Sequence, residues 1–214
     1  MSELTAALVA FAGAYLVGSI PFAYVIVRLK TGEDITAHGS GNVGAMNVRR
    51  STGSWALFVL AMLLDFAKGV APVALARIVS PASAGPLIAQ AAVAGAVVGH
   101  NYSLWMAYIK RRFHRTGKGL STGAGALLAY DWQYFLAVVV VGLLTIAVTR
   151  YMMAGQVAAA ATLPVTALVL GKTDWLFALL MGALVYAAHH RRFLGLLRGE
   201  EPKFYINDRQ GPRG

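Results

Sequence analysis

At 214 residues, with 57% apolar side chains, 13% charged ones and a mean hydropathy of +0.60, the chain is too apolar for water to be its only solvent, which excludes a soluble enzyme and most nucleic-acid binders. The formal net charge of +10 does not restore a nucleic-acid partner, because the basic residues sit in short segments between apolar runs and do not cover a domain surface. With no cysteine, disulfides, thiolate metal sites and a cysteine nucleophile drop out.

The sequence predicts an all-α integral membrane protein, a bundle of about seven transmembrane helices with one half-helix among them. Residues 1–28 offer only Glu3 ahead of a stretch long enough to span, without the basic flank of a signal peptide, so they read as a retained first helix. Further apolar segments follow at 54–79, 86–109, 119–130, 132–149, 152–170 and 174–190. The segment 119–130 is too short to cross a hydrocarbon core of about 30 Å. Pro21, Pro72 and Pro164 lie inside segments and suggest kinks. Small residues such as Gly123-Ala124-Gly125-Ala126 let helices pack closely. The expected organisation is a single membrane domain over 1–195 and a polar tail over 196–214.

Sixteen of the 19 Lys and Arg residues fall in the loops after the first, third, fifth and seventh segments. The exceptions are Lys68, Arg77 and Lys172. Basic loops stay on the cytoplasmic side, which places the N-terminus outside, the C-terminus inside and the most polar segments on one cytoplasmic face.

Four groups of residues on that face or near it could carry chemistry. The first is His38-Gly39-Ser40-Gly41-Asn42-Val43-Gly44-Ala45-Met46-Asn47-Val48-Arg49-Arg50. Its glycines can aim successive N–H groups at one point, Ser and Asn add neutral donors, and arginine supplies a forked charge for phosphate. As composition alone it is equally a flexible interhelical loop. The second runs from Gly99-His100 through a basic stretch to Thr116-Gly117-Lys118-Gly119-Leu120-Ser121-Thr122-Gly123. A Gly-Lys-Gly opening a helix suits phosphate, although it lacks the spacing of a P-loop, and the basic stretch by itself reads as a positive-inside anchor. The third is Asp65 and Lys68, three apart on one face inside the second segment, where ionisable groups pair structurally or mark a site. The fourth is His189-His190-Arg191-Arg192 at the end of the seventh segment. Adjacent helical histidines diverge by about 100°, so no metal site is expected.

In this order, Gly-Ser-Gly-Asn-x-Gly-Ala-x-Asn, Asp-x-x-Lys-Gly, Gly-His, Gly-Lys-Gly and a terminal Leu-Leu-x-Gly-Glu-Glu, the chain resembles the bacterial membrane family of acyl-phosphate:glycerol-3-phosphate acyltransferases. The resemblance spans nearly the whole sequence. It implies transfer of a fatty acyl group from acyl phosphate to the 1-hydroxyl of glycerol 3-phosphate, giving lysophosphatidic acid, in a bacterial cytoplasmic (inner) membrane and without a cofactor. It implies a substrate-phosphate site at Ser40, Gly41, Asn42, Gly44, Asn47 and Arg50, a second at Gly117, Lys118 and Gly119, and a catalytic set of Asp65, Lys68 and His189. His100, Ser121, Thr122 and Arg192 are expected in support. The expected partners are the two small-molecule substrates and membrane lipid, with no nucleic acid.

The chain departs from the family pattern at Met46, where threonine is usual, and at Tyr102-Ser103, where a Phe-Pro-like pair follows Gly-His. Thr116-Gly117 stands in place of a double glycine and Arg192 in place of an asparagine, and the stretch from His100 to Lys118 is several residues longer than usual.

An acyl phosphate is already activated, so a protein need only set an alcohol beside the carbonyl and neutralise two anionic groups. Neutral donors and cations suit that task. No His-x-x-x-x-Asp motif is present, so the other familiar glycerolipid acyltransferase signature is missing. Two further readings stay open from sequence: a small-anion transporter, for Asp65 and Lys68 within a helix, and a catalytically silent lipid-phosphate-binding paralogue, for the departures.

Overall fold

A computed structural model describes residues 2–80, 85–201 and 203. Among the described residues the chain forms ten α-helices and one 3₁₀ turn, with no strand. In order these are α1 (Glu3–Gly18), α2 (Phe22–Thr31), the turn Ile35–Ala37, α3 (Ala45–Thr52), α4 (Trp55–Val79) and α5 (Leu87–Asn101). There follow α6 (Leu104–Lys110), α7 (Leu120–Tyr130), α8 (Trp132–Thr149), α9 (Met152–Val169) and α10 (Trp175–Leu197). The chain divides into two compact units, residues 1–132 and 133–214.

Four stretches are long and apolar enough to cross a membrane: Glu3–Thr31, Trp55–Val79, Trp132–Thr149 and Met152–Val169. The chain is a multi-pass membrane protein. Helix α10 has the length, but His189, His190, Arg191 and Arg192 dilute its apolar run. The expected half-helix is α7, whose 11 residues rise only about 16 Å.

Two expected single segments prove to be broken. The first stops at Gly18 and restarts at Phe22, with Pro21 immediately before the new helix. A proline there has no N–H to give, and its ring collides with the carbonyl four residues back. The expected segment 86–109 divides into α5 and α6, where Ser103 caps the new helix by accepting the Met106 N–H at 3.1 Å. By contrast, Pro72 and Pro164 lie within continuous helices.

In the first unit α1 packs on α5 and α4 on α7 through glycines. A methyl group at Gly95 or Gly99, four apart on α5, would overlap the carbonyls of Phe11 or Tyr15, and one at Gly18 would meet Ala96. Gly69 on α4 lies in the same way against Thr122, and Gly125 on α7 against Phe66. Without a side chain at these points the backbones approach closely enough for dispersion to hold them. These contacts set the ends of α5 and α7 beside the middle of α4. Beneath the segment between α2 and α3, Val27, Ile35, Val43, Val48 and Met106 form a buried apolar cluster.

In the second unit α10 packs on α9, with Gly182 against the Ala160 carbonyl and the Tyr186 hydroxyl donating to the Val157 carbonyl at 3.1 Å. The Tyr134 hydroxyl donates to Asp174 at 2.7 Å and Lys172 to Gln133 at 2.8 Å, which fastens the start of α8 to the α9–α10 connection.

Candidate active site

The glycine-rich segment folds around one side chain. Asn47, which is 2% exposed, donates its amide N–H groups to the carbonyls of Ile35, His38 and Asn42, each at 3.0 Å. Its amide oxygen accepts the Ser40 N–H at 3.2 Å. Gly39 and Gly41 adopt positive φ values of 54° and 67°, which side chains other than glycine rarely tolerate. The loop then runs into the N-terminus of α3, where the Gly44 carbonyl accepts the N–H groups of Asn47 at 2.9 Å and Val48 at 3.2 Å. An exposed loop carrying Ser40 and Gly41 therefore ends on the positive pole of a helix.

Arg49 and Arg50 close α3 but face different neighbours. The Arg49 guanidinium lies 3.8 Å from the centre of the Trp55 ring and anchors α3 to the start of α4. The methylenes of exposed Arg50 lie against Gly39, so that side chain reaches over the loop.

The Gly-Lys-Gly segment is built onto the end of α5. Gly117 sits against the His100 imidazole with no room for a side chain. Gly119, at φ 69°, precedes α7. The Thr116 N–H donates to the Asn101 carbonyl at 2.8 Å, and Arg115 Nε donates to the Gly117 carbonyl at 3.1 Å. Val43 of the first loop donates its N–H to the Thr116 carbonyl at 2.7 Å. That one bond joins the two glycine-rich segments, although 73 positions separate them (116 − 43).

Below them lies a buried polar cluster. Asp65 is 3% exposed and Lys68 5%, and they pair at 2.8 Å. Lys68 also donates to the Ile20 carbonyl at 2.7 Å. His100 Nδ1 is 3.8 Å from Asp65 and 3.1 Å from the Thr122 hydroxyl. The structure thus brings Asp65, Lys68, His100 and Thr122 together, and Ser121 lies next to Thr122 at the start of α7.

In the second unit His189 is buried, with Nδ1 2.8 Å from the Val185 carbonyl. A carbonyl only accepts, so a neutral His189 carries its proton on Nδ1 and its lone pair on Nε2. Arg192 donates from Nε to Glu201 at 2.8 Å and from Nη2 to the other oxygen of the same carboxylate. The arginine that departs from the family pattern is thereby tied to the terminal Gly-Glu-Glu motif. Arg209 and Arg213 of the expected cytoplasmic tail lie outside the described residues.

Sequence reasoning missed the parts played by Ser19, Ile20, Asn101 and Ser103: the Ile20 carbonyl accepts from Lys68, the Asn101 carbonyl accepts the Thr116 N–H, and the Ser103 hydroxyl donates to the Ser19 carbonyl. Only the serine at a helix start was a usable signal for Ser103. The rest act through carbonyls, to which side-chain identity gives no clue.

A profile described as glycerol-3-phosphate acyltransferase matches residues 8–199. The chain is 39% identical over 214 residues to the glycerol-3-phosphate acyltransferase of Synechococcus sp. (strain JA-3-3Ab), covering 99% of this chain and 100% of that one. It is 37% identical over 196 residues to that of Nitrobacter winogradskyi, covering 91% and 94%. Its fold is similar to the crystal structure of PlsY (YgiH), an integral membrane glycerol 3-phosphate acyltransferase, in the glycerol 3-phosphate form, with a TM-score of 0.80, 31% identity and coverage of 93% and 96%. The lysophosphatidic acid form of PlsY gives a TM-score of 0.77 at 30% identity. With matches that run nearly end to end in sequence and in fold, the chain belongs to the glycerol-3-phosphate acyltransferase family.

Proposed function

We propose that this protein transfers a fatty acyl group from acyl phosphate to the 1-hydroxyl of glycerol 3-phosphate. The observation that carries the reading is the Val43 to Thr116 hydrogen bond. It fixes side by side two segments of the kind that bind phosphate, one backed by Arg50 and the other by Lys118. A reaction whose substrates each carry a phosphate needs two such cradles. In the transfer the hydroxyl oxygen attacks the acyl carbon, the bond from that carbon to the phosphate oxygen breaks, and inorganic phosphate leaves with the hydroxyl proton. Both negative groups are present before and after the step, so cations and N–H groups held in place are the main requirement.

Within that reading, Ser40, Gly41, Asn42 and Gly44 supply donors to one phosphate, and Gly117, Lys118 and Gly119 hold another. Asn47 shapes the first cradle from within. Asp65 and Lys68 were expected as catalytic groups. Their mutual pairing, their burial and the Lys68 bond to Ile20 support a positioning role instead, shared with His100 and Thr122. His189, buried in the second unit with its Nδ1 proton held by the Val185 carbonyl, is kept as a proposed catalytic residue on the resemblance of its motif. The proposed setting is a bacterial cytoplasmic membrane, with the N-terminus outside and the loops 30–53 and 110–118 inside.

The test supplies purified protein in detergent with palmitoyl phosphate and glycerol 3-phosphate and measures lysophosphatidic acid and released phosphate. Equimolar formation of both is expected. A rate with acyl-CoA or acyl carrier protein equal to or above that with acyl phosphate would overturn the donor assignment. Uptake of phosphate or glycerol 3-phosphate into proteoliposomes without product would make the protein a transporter.

A further inference from the structure

Ser103 and Thr116 are both 3% exposed, and both stand where the chain departs from the pattern of the family it resembles. The Ser103 N–H donates to the Thr116 hydroxyl oxygen at 3.3 Å. That hydroxyl has one proton to give, and the carbonyls of His100 and Asn101, at 3.2 and 3.3 Å, are its two acceptors. They belong to the last turn of α5, where carbonyls have no partner within the helix.

Ser103 in turn donates its hydroxyl to the Ser19 carbonyl at 2.5 Å, in the gap between α1 and α2. The same oxygen accepts the Met106 N–H. Thr116 therefore engages its N–H, carbonyl and hydroxyl at once, toward Asn101, Val43, and Ser103 with the end of α5.

We propose that Ser103 and Thr116 form a coupled positioning pair that sets the Gly-Lys-Gly segment against the glycine-rich loop. The chemistry of the pair makes the two departures complementary in this chain. A proline at 103 would have no N–H, and a glycine at 116 would have no hydroxyl. A serine at 103 brings a buried donor, and the threonine at 116 supplies its acceptor. Neither residue touches substrate in this account, and its bearing on catalysis rests on the proposed phosphate role of Lys118.

The experiment compares Thr116→Val, which keeps shape and removes the hydroxyl, with Thr116→Ser, which keeps the hydroxyl. Each is also made with Ser103→Pro, and KM and kcat are measured for both phosphate substrates together with the Kd of glycerol 3-phosphate. Leaving a buried N–H without an acceptor is expected to raise KM for at least one substrate about tenfold in Thr116→Val. Thr116→Ser stays within about threefold, since it keeps the acceptor. A merely structural loss would lower the active fraction, and so the apparent kcat, at unchanged KM.

When Ser103 is already proline, the effect of Thr116→Val should shrink at least about threefold, the sign of coupled groups. Unchanged KM and Kd in Thr116→Val would overturn the pair, as would equal effects of valine in the two backgrounds. If Ser103→Pro does not fold, the contrast between valine and serine at 116 still decides. Lys118→Ala is run in parallel: unchanged KM there would remove the cation assignment, while the pair is judged on its own KM and Kd.

Discussion

The Lys68 ammonium lies 2.7 Å from the main-chain carbonyl of Ile20, in the gap between α1 and α2, while 2.8 Å away it pairs with Asp65. Irregular backbone survives inside a membrane protein only where protein groups satisfy the freed carbonyls. Lys68 does this for Ile20, and Ser103 does it for Ser19. The ion pair is thus part of how a broken first helix is tolerated.

That role predicts a particular pattern of losses. Lys68→Met leaves Asp65 buried without its partner and should cost about 3–5 kcal/mol, whereas Asp65→Leu/Lys68→Met removes both charges and should recover much of that. Thermal unfolding in detergent measures the difference. Turnover per folded molecule of the double variant should remain within about tenfold of the parent. A loss of 10²-fold or more would return Asp65 or Lys68 to proton transfer.

Asn47 offers a sharper case because its shape can be kept while its hydrogen bonding is reversed. Asn47→Asp preserves the acceptor for the Ser40 N–H but turns an anionic oxygen toward the carbonyls of Ile35, His38 and Asn42. Each lost or opposed buried bond costs about 1–3 kcal/mol. We expect Asn47→Asp to be at least as damaging as Asn47→Ala in both melting temperature and KM for the phosphate substrates. A benign aspartate would mean that the amide does not organise the loop.

Asp34 and Lys110 pair between the start of the glycine-rich segment and the end of α6. Partial burial pushes the Asp34 carboxyl up, but hydrogen bonds from Lys110 and Thr36 and the Lys110 charge outweigh it and hold the pKa at about 2. The folded value is below the ordinary 3.8, so the group stabilises the fold above that ordinary value and loses its contribution as pH falls toward the folded one. The melting-temperature advantage of the parent over Asp34→Asn should therefore be level between pH 5 and 7 and shrink between about pH 4 and 2. An advantage unchanged at pH 2.5 would show that the pair does not set the stability of this segment.

The helical membrane class, the short α7 and the ordered motifs were legible because apolar run length and residue type encode them directly. The breaks were not. Pro21 looks like a kink in an apolar run, and nothing before Ser103 announces that an acceptor stands 13 residues later at Thr116. The polar clusters form where glycines let α1 meet α5 and α4 meet α7, and such contacts depend on three-dimensional packing between distant positions. The sequence places Asp65 and Lys68 on one helical face, while only the fold shows Ile20 above them.

The proposed topology follows from the distribution of basic residues and is checked with single cysteines in the cysteine-free chain. Glu33→Cys and Leu197→Cys should react with an impermeant maleimide only after the membrane is opened. Thr173→Cys, in the exposed α9–α10 connection, should react in intact cells. Labelling of residue 33 or 197 in intact cells would invert the assignment.

Sixteen basic residues assigned to one face cannot all hold substrate, so the two-cradle reading must separate ligands from topological charges. Arg50 crosses the loop at Gly39, and Lys118 lies between two glycines packed on His100 and Asn101. Arg112 and Arg198 are exposed beyond the ends of α6 and α10. A cation that closes on phosphate away from water is worth about 2–5 kcal/mol when truncated, and an exposed charge under about 1 kcal/mol. Arg50→Ala and Lys118→Ala should therefore lower kcat/KM by roughly 30-fold or more, while Arg112→Ala and Arg198→Ala stay within about fivefold. Raised salt should not reproduce the Lys118→Ala loss, because screening acts on exposed charges more than on the half-buried Lys118. Equal losses across the four variants at matched folding would show that the glycine-rich segments do not bind the substrates and that their cations serve membrane orientation alone.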